Sequence, residues 1–158
     1  MKKILVTISI VLCTTVVAVA QPRAIGARLG GDVEFSYQHS VGSSNMLDLS
    51  AGLGLGVGYF QFGVTGMYDW LFPINSWSYA GEWTWYAGPG VGVGFRSYIL
   101  ENLFPLAVNV GGQIGIEYAF DFPLNLSLDY RPMINLLGFG NGYWGNLTGI
   151  ALGVRYRF

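Results

Sequence analysis

The strongest constraint on this chain is the strict alternation of side chains along every extended stretch after residue 20. In the last stretch, Ile150, Leu152, Val154, Tyr156 and Phe158 alternate with Ala151, Gly153, Arg155 and Arg157. A period of two predicts a β-strand with one apolar and one polar face. Six further stretches between residues 25 and 131 follow the same pattern. The sequence therefore predicts an all-β chain.

Charged residues fall on only one face of these stretches when the apolar residues are used to set the phase. Eleven lie on the polar face: Arg28, Asp32, Glu34, Asp48, Asp69, Arg96, Glu117, Asp129, Arg131, Arg155 and Arg157. The other four after residue 20, Arg23, Glu82, Glu101 and Asp121, fall in connections or near strand ends. When every strand has an apolar face and no second layer covers it, that face must contact lipid, as in a transmembrane β-barrel. We therefore predict that the eleven charges form an ion network in the lumen.

The predicted fold is a single antiparallel, up-and-down transmembrane β-barrel over residues 21–158. Seven strands are clear, and barrels of this kind normally have an even number, so we predict eight. The eighth strand comes either from a split of the Arg23–His39 stretch near Gly30-Gly31 or from Tyr98–Phe104. The predicted connections are His39–Asn45, Pro73–Glu82, Ser97–Pro105, Asp121–Pro123 and Pro132–Gly145.

Residues 1–20 have the three parts of a secretory signal peptide. Lys2 and Lys3 give a basic start, Ile4–Val17 is apolar, and residues 18–20 form a small-residue cleavage site. The only cysteine, Cys13, lacks the small neighbours of a lipoprotein signal. After cleavage the chain has no cysteine, which excludes disulfides and thiolate chemistry.

The charge balance after residue 20 excludes nucleic-acid binding. Six arginines stand against nine acidic residues, a formal charge of −3, and there is no lysine. No stretch after residue 20 is apolar and long enough to be a membrane helix. Large aromatic residues gather near the strand ends, where the interfacial girdles of a barrel lie. These features predict an integral protein of the bacterial outer membrane.

Three segments resemble those of the small OmpX/OmpA-type outer-membrane β-barrel family. They are Gly66–Trp70, similar to a third strand, Gly115–Phe120, similar to a strand entering a tight turn, and Leu152–Phe158, similar to the closing strand. In the last, Tyr156 and Phe158 resemble the C-terminal signal that the outer-membrane assembly machinery reads. The resemblance implies this machinery, outer-membrane lipids and lipopolysaccharide as partners. The short loops differ from the family and do not favour adhesion through long extracellular loops.

The charges predict a closed lumen. Five arginines and six carboxylates would share an interior just wide enough for side chains, which favours a salt-bridged plug. The alternative is a gated pore, but near-neutral pairing provides no ion-selective ring. Inward glycines at residues 52–58 and 88–94 lack the context of a phosphate loop and are predicted to make room for long Arg and Tyr side chains from facing strands.

The sole histidine, His39, adjoins Ser40 and lies five residues from Glu34, as in a Ser-His-acid lipid deacylase. Because His39 shares the apolar phase and Glu34 points inward, the three should not converge. We predict a non-enzymatic monomer without metal or cofactor, in a structural or surface-contact role. Three alternatives stay open: a channel for small hydrophobic compounds, a lipid-modifying enzyme, and a soluble lipocalin-type barrel with the apolar row inside.

Overall fold

A computed structural model describes residues 22–56, 58–75, 77, 80–98, 106–138 and 149–158. These residues form nine β-strands and no α-helix. The strands are β1 (Pro22–Leu29), β2 (Val33–Val41), β3 (Asn45–Gly56), β4 (Tyr59–Ile74), β5 (Glu82–Tyr98), β6 (Leu106–Ala119), β7 (Leu124–Tyr130), β8 (Met133–Gly138) and β9 (Ile150–Arg157). The predicted signal peptide, residues 1–20, lies outside the described residues.

The strands form one closed antiparallel sheet. Each strand from β1 to β6 pairs with the next along the chain, and β9 closes the ring by pairing with both β7 and β1. Strands β7 and β8 lie end to end along β6, with β7 paired to residues 114–119 and β8 paired to residues 107–111. The result is an eight-stranded up-and-down barrel with β8 as an additional strand, which confirms the predicted fold class.

The eighth strand arises from the split near Gly30-Gly31. Strand β1 ends at Leu29 and β2 begins at Val33, so residues 30–32 form the turn of a hairpin. Of the two possibilities that the sequence left open, this one is correct. The other possibility was a strand over Tyr98–Phe104. Tyr98 is the last residue of β5, and residues 99–104 lie outside the described part of the chain.

One predicted connection is wrong, because residues 133–138 of the Pro132–Gly145 segment form β8. Proline has no N–H to give to a ladder, so Pro132 interrupts the strand that β7 begins. The first half of β6 still needs a partner, and Met133 pairs with Gly111 to resume the sheet. Strand β8 again has one outward and one inward phase, since Ile134 and Leu136 are exposed while Met133 is buried.

The pairing register sets the tilt of the strands. Followed from Gly26 through β2 to β5, the register reaches Asn109 on β6. Followed in the other direction through β9 and β7, it reaches Ala119, ten residues farther along the same strand. Eight strands with a stagger of ten residues must tilt by about 40° to the barrel axis, within the usual range for closed barrels.

The barrel has two distinct ends. The terminal end holds Pro22 and Arg157, together with the turns at residues 42–44 and 120–123 and the ends of β4 and β5 at Ile74 and Glu82. The distal end holds the β1–β2 turn at residues 30–32 and the hairpin between β3 and β4.

The barrel is polar inside and apolar outside. Its most buried large side chains include Arg155, Gln38, Glu117, Asp48 and Asp129, each at most 2 % exposed. Apolar side chains of the opposite phase are open to the surroundings, as for Leu55 at 84 %, Val33 at 63 % and Val91 at 60 %. A lipocalin-type barrel would require the reverse distribution.

Candidate functional site

The centre of the lumen contains a network of three arginines and three carboxylates. Its ion pairs are Arg28–Glu34 at 2.9 Å, Arg28–Asp129 at 2.6 Å, Arg131–Glu34 at 3.4 Å, Arg131–Asp48 at 3.6 Å and Arg155–Asp48 at 3.3 Å. We call these six residues the central network. The six residues come from β1, β2, β3, β7, β9 and the segment just after β7. The central network therefore links these strands across the lumen and contains no residue of β4, β5 or β6.

Arg155 is the most completely buried cation of the central network, with no exposed surface. Its guanidinium donates to the hydroxyls of Ser36 at 2.8 Å and Ser127 at 2.6 Å, besides Asp48 at 3.3 Å. A buried charge is tolerable only when its hydrogen-bonding capacity is satisfied. Neighbouring Gly153 leaves the space that this side chain needs, since a Cβ there would lie 2.4 Å from Arg155 Nη1.

Arg131 connects the central network to the wall formed by β6. It donates to Gln113 Oε1 at 2.7 Å and to Ser50 Oγ at 2.8 Å. Its contact with Asp48, at 3.6 Å, is too long for a hydrogen bond and acts only as an electrostatic attraction. Arg28 is held in a similar way, because it donates to the carbonyl of Gly149 at 3.0 Å as well as to its two carboxylates.

Arg23 belongs to the lumen although the sequence placed it only near a strand end. It donates to both oxygens of Glu117 and to Gln38 Oε1, the latter at 2.7 Å. Simple alternation would put Arg23 on the outer face with Ile25. A β-bulge between Pro22 and Ala24 inserts Arg23 as an extra residue and turns its side chain inward. No residue type in the sequence marks this bulge.

Four of the predicted lumen charges make no ion pair within the described part of the chain. Asp32 accepts hydrogen bonds from Gln61, Arg96 donates to Gln61, and Arg157 donates to the carbonyl of Phe120 at 2.9 Å. Asp69 is fully buried, and neither of its oxygens has a hydrogen-bond partner there. The structure thus brings seven of the eleven predicted residues into ion pairs and places the other four around them.

A cavity of about 240 Å³ lies between the central network and the distal end. Arg28, Arg131 and Glu34 line it on the side of the central network. Asp32, Gln61, Thr65, Arg96, Tyr59 and Met133 line its walls, with Gly31 and Gly149 at the backbone. We call this space the distal cavity.

Inward glycines accommodate large side chains of adjacent strands. A Cβ at Gly115 would lie 2.5 Å from the ring of Tyr86, and one at Gly90 would lie 2.0 Å from Met67 Sδ. These glycines therefore make room for large side chains, as predicted. In these two cases the side chains come from adjacent strands of the wall and not from facing strands.

Replacing Gly115 by valine is expected to lower the free energy of unfolding by about 1–3 kcal/mol, because the new side chain forces Tyr86 out of a filled space. Tyr86 is fully buried and its hydroxyl donates to Asp129 at 3.5 Å. Urea unfolding of the lipid-reconstituted protein measures the loss. Gly66→Val is the matched control, since among the described residues a Cβ at Gly66 would meet only the flexible end of Leu49, at 3.3 Å. Equal losses in both variants would contradict this steric explanation.

The outer face has two groups of aromatic residues. At the terminal end, Phe72 stacks on Trp85 with ring centroids 4.1 Å apart, and Trp83 contacts Tyr118 at 4.8 Å. Toward the distal end, Phe95 contacts Phe60 and Phe62 at 6.0 and 5.9 Å. Exposed aliphatic side chains such as Val64 and Val91 lie between the two groups.

The structure separates His39 from Glu34, two residues of the hypothetical catalytic triad. His39 is buried, and its Nδ1 hydrogen-bonds the hydroxyl of Tyr37, a residue of the outward phase, at 2.8 Å. Glu34 pairs with Arg28 in the lumen. The outward phase that His39 shares with Tyr37 and the inward position of Glu34 keep these groups on opposite faces of β2.

Comparisons with protein-family models, curated proteins and solved structures give no match for this chain. The resemblance to the OmpX/OmpA-type family, including the assembly signal at Tyr156 and Phe158, therefore remains a prediction. No helix within the described residues is long and apolar enough to cross a bilayer. Within the same residues, no group of three or more His, Cys, Asp or Glu side chains is arranged to hold a metal ion.

Proposed function

We propose that this chain is an integral, monomeric β-barrel of the bacterial outer membrane, with a plugged lumen and a structural or surface-contact role. The observation that carries this proposal is the inverted distribution of side chains. Ionised groups such as Arg155 and Asp48 are fully buried inside the barrel, while aliphatic groups such as Val91 are open on its outside. An apolar solvent around the barrel makes this distribution favourable, which supports the membrane location that we propose.

The spacing of the aromatic groups agrees with a membrane-spanning barrel. On β4, Phe62 and Trp70 are eight residues apart, and Phe60 and Phe72 are twelve apart. With a rise of about 3.3 Å per residue and a tilt of about 40°, these separations correspond to roughly 20 and 30 Å along the axis. The apolar band of an outer-membrane barrel is about 25 Å tall, between these two values.

The location is tested by reconstituting the mature protein into vesicles of brominated and ordinary phosphatidylcholine. Trp70 and Trp85 are exposed on the outer face, so brominated chains should strongly quench their fluorescence. Three variants each keep a single tryptophan, at position 70, 77 or 85. Trp77 lies between β4 and β5 at the terminal end and is the control, whose fluorescence should be quenched only weakly. A protein that stays in buffer, with unquenched Trp70, would refute the membrane proposal.

The central network predicts that the lumen does not conduct. Its three arginines and three carboxylates compensate one another, so an ion has neither an open path nor a selective ring of charge. In planar bilayers we expect insertion without steady open channels, measured against an open-lumen porin as the positive control. Stable channels of porin size would contradict the plug, and would leave the membrane location intact.

The polar lumen does not favour the alternative of a channel for hydrophobic compounds. Such a channel requires an apolar lining, whereas the inward side chains here include Gln38, Asn109 and Glu117, all buried. The lipid-modifying enzyme has no supporting constellation among the described residues around His39. A structural or surface-contact role through the loops is therefore the function that we propose.

A further inference from the structure

The distal cavity contains two opposite charges that the central network does not compensate. Arg28, Arg131 and Glu34, on its inner side, are all paired within that network. Farther out, Arg96 and Asp32 form no ion pair with any described residue. Both are half-buried, so water only partly replaces a missing counter-ion.

Gln61 holds these two charges apart. Its Oε1 accepts hydrogen bonds from Arg96 Nε at 3.0 Å and Nη2 at 2.7 Å, and its Nε2 donates to both oxygens of Asp32 at 2.7 Å. The Arg96 guanidinium also lies over the ring of Tyr59, 4.6 Å from its centroid. Each charge is therefore oriented by a neutral group and retains capacity for an ionic partner.

The backbone leaves space for this arrangement at one position. A Cβ on Gly54 would lie 2.1 Å from Asp32 Oδ1 and 2.7 Å from Gln61 Cγ. Glycine at position 54 thus allows Asp32 and Gln61 to meet inside the barrel.

We infer that the distal cavity binds a small zwitterion, with its anionic group on Arg96 and its ammonium group on Asp32. Since both residues bond opposite ends of one amide, their nearest charged atoms are at most about 8 Å apart. Beside the Gln61 amide, an ammonium and a carboxylate or phosphate on a short carbon chain bridge the same two charges, with one hydrogen bond of about 2.8 Å at each side. Such a ligand compensates both charges at once, which a simple anion or cation cannot do.

The size of the distal cavity limits the ligand further. A volume of about 240 Å³ equals that of roughly eight water molecules in the liquid. This suits a molecule of amino-acid size and excludes a whole lipid or a peptide. The site requires only the folded barrel and does not depend on the membrane location proposed above.

The first test measures binding to the wild-type protein in maltoside micelles by calorimetry. The probes are glycine, 3-aminopropanoate, 4-aminobutanoate and phosphoethanolamine, with acetate, inorganic phosphate and methylammonium as the separate halves. At least one zwitterion should bind roughly tenfold or more tightly than either of its halves, since it gains a second charge-assisted contact. Comparing the affinities of the amino carboxylates with that of phosphoethanolamine shows whether the site prefers a carboxylate or a phosphate as the anionic group. A half that binds as tightly as its zwitterion, or no zwitterion binding at all, would overturn the proposal.

The second test uses variants that remain folded, as shown by a heat-modifiable band on gels. Arg96→Gln and Asp32→Asn should each weaken zwitterion binding roughly tenfold or more. Gly54→Ala keeps every charge but displaces Asp32 and Gln61, and it should also weaken binding. Arg157→Gln, at the terminal end, is the control that should bind as the wild type does. Unchanged affinity in both charge variants would refute the site, and if they fail to fold, the ligand series on the wild type decides.

Discussion

Replacing Arg155 by leucine is expected to lower the free energy of unfolding by about 3–5 kcal/mol, the largest effect that we predict for a single side chain. The change removes the donor to Asp48 Oδ2, Ser36 and Ser127. Asp48 has no exposed surface, and among the described residues it would keep only Arg131 at 3.6 Å and Gln38 at 3.4 Å. A buried carboxylate would then remain with one distant arginine in place of two. Urea titration of the protein in lipid vesicles measures this loss.

Two controls separate the lost charge pair from lost packing. Arg157→Leu lies two residues along the same strand, and Arg157 is half-buried and bonds only a carbonyl among the described residues. Its loss should cost no more than about 1 kcal/mol. Adding Asp48→Asn to Arg155→Leu should recover part of the stability, because the stranded charge is then gone. A small effect of Arg155→Leu, or no recovery in the double variant, would contradict the importance of the central network.

Replacing Val91 by arginine is expected to cost about 2–4 kcal/mol when the barrel is folded in a bilayer. Val91 lies at the middle of β5 on the outer face and is 60 % exposed. If the surroundings are acyl chains, the new guanidinium is placed near the bilayer midplane. If the surroundings are water, an exposed substitution of this kind changes stability by only about 0.5 kcal/mol. The same substitution therefore gives different results for a membrane barrel and a soluble one.

Leu55→Arg is the matched control for Val91→Arg. Leu55 is also on the outer face and is 84 % exposed, but it lies at the distal end of β3. Near the interface, arginine should cost only about 0–1 kcal/mol. Both variants are compared with the wild type by equilibrium unfolding in the same vesicles. Equal costs at the two positions would contradict a depth-dependent apolar environment.

The face on which each side chain lies could be predicted because a strand has a period of two. Once the apolar residues of a strand set its phase, the inward position of Asp48 or Arg155 follows without further information. The same argument fails for Arg23. A single inserted residue at the β-bulge reverses the phase, and neither Arg23 nor its neighbours Pro22 and Ala24 mark that position in the sequence.

The partners of the inward charges could not be predicted, since they depend on the stagger of the barrel. Arg155 and Asp48 are 107 residues apart, and they meet only because the register brings β9 and β3 to the same height. By composition alone, Asp69 is as good a candidate for an ion pair as Asp48. The structure gives Asp48 two arginine partners and gives Asp69 none among the described residues.

The sequence does not predict strand β8, because Pro132 indicates the start of a connection. Strand β7 indeed ends at Tyr130, two residues before this proline. In a closed barrel, however, an interrupted strand resumes wherever its neighbour still offers unpaired backbone groups. The length of β6, twice that of β7, creates this demand, and only the three-dimensional pairing reveals it.

The position of the central network beneath the distal cavity determines how any solute there behaves. If the central network closes the way to the terminal end, as we propose, a molecule enters and leaves the distal cavity only from the distal end. Its occupancy then follows the concentration in a single compartment, and no gradient can be dissipated by its passage. Such a barrel is a receptacle at equilibrium with one side, even though its wall extends from one end to the other.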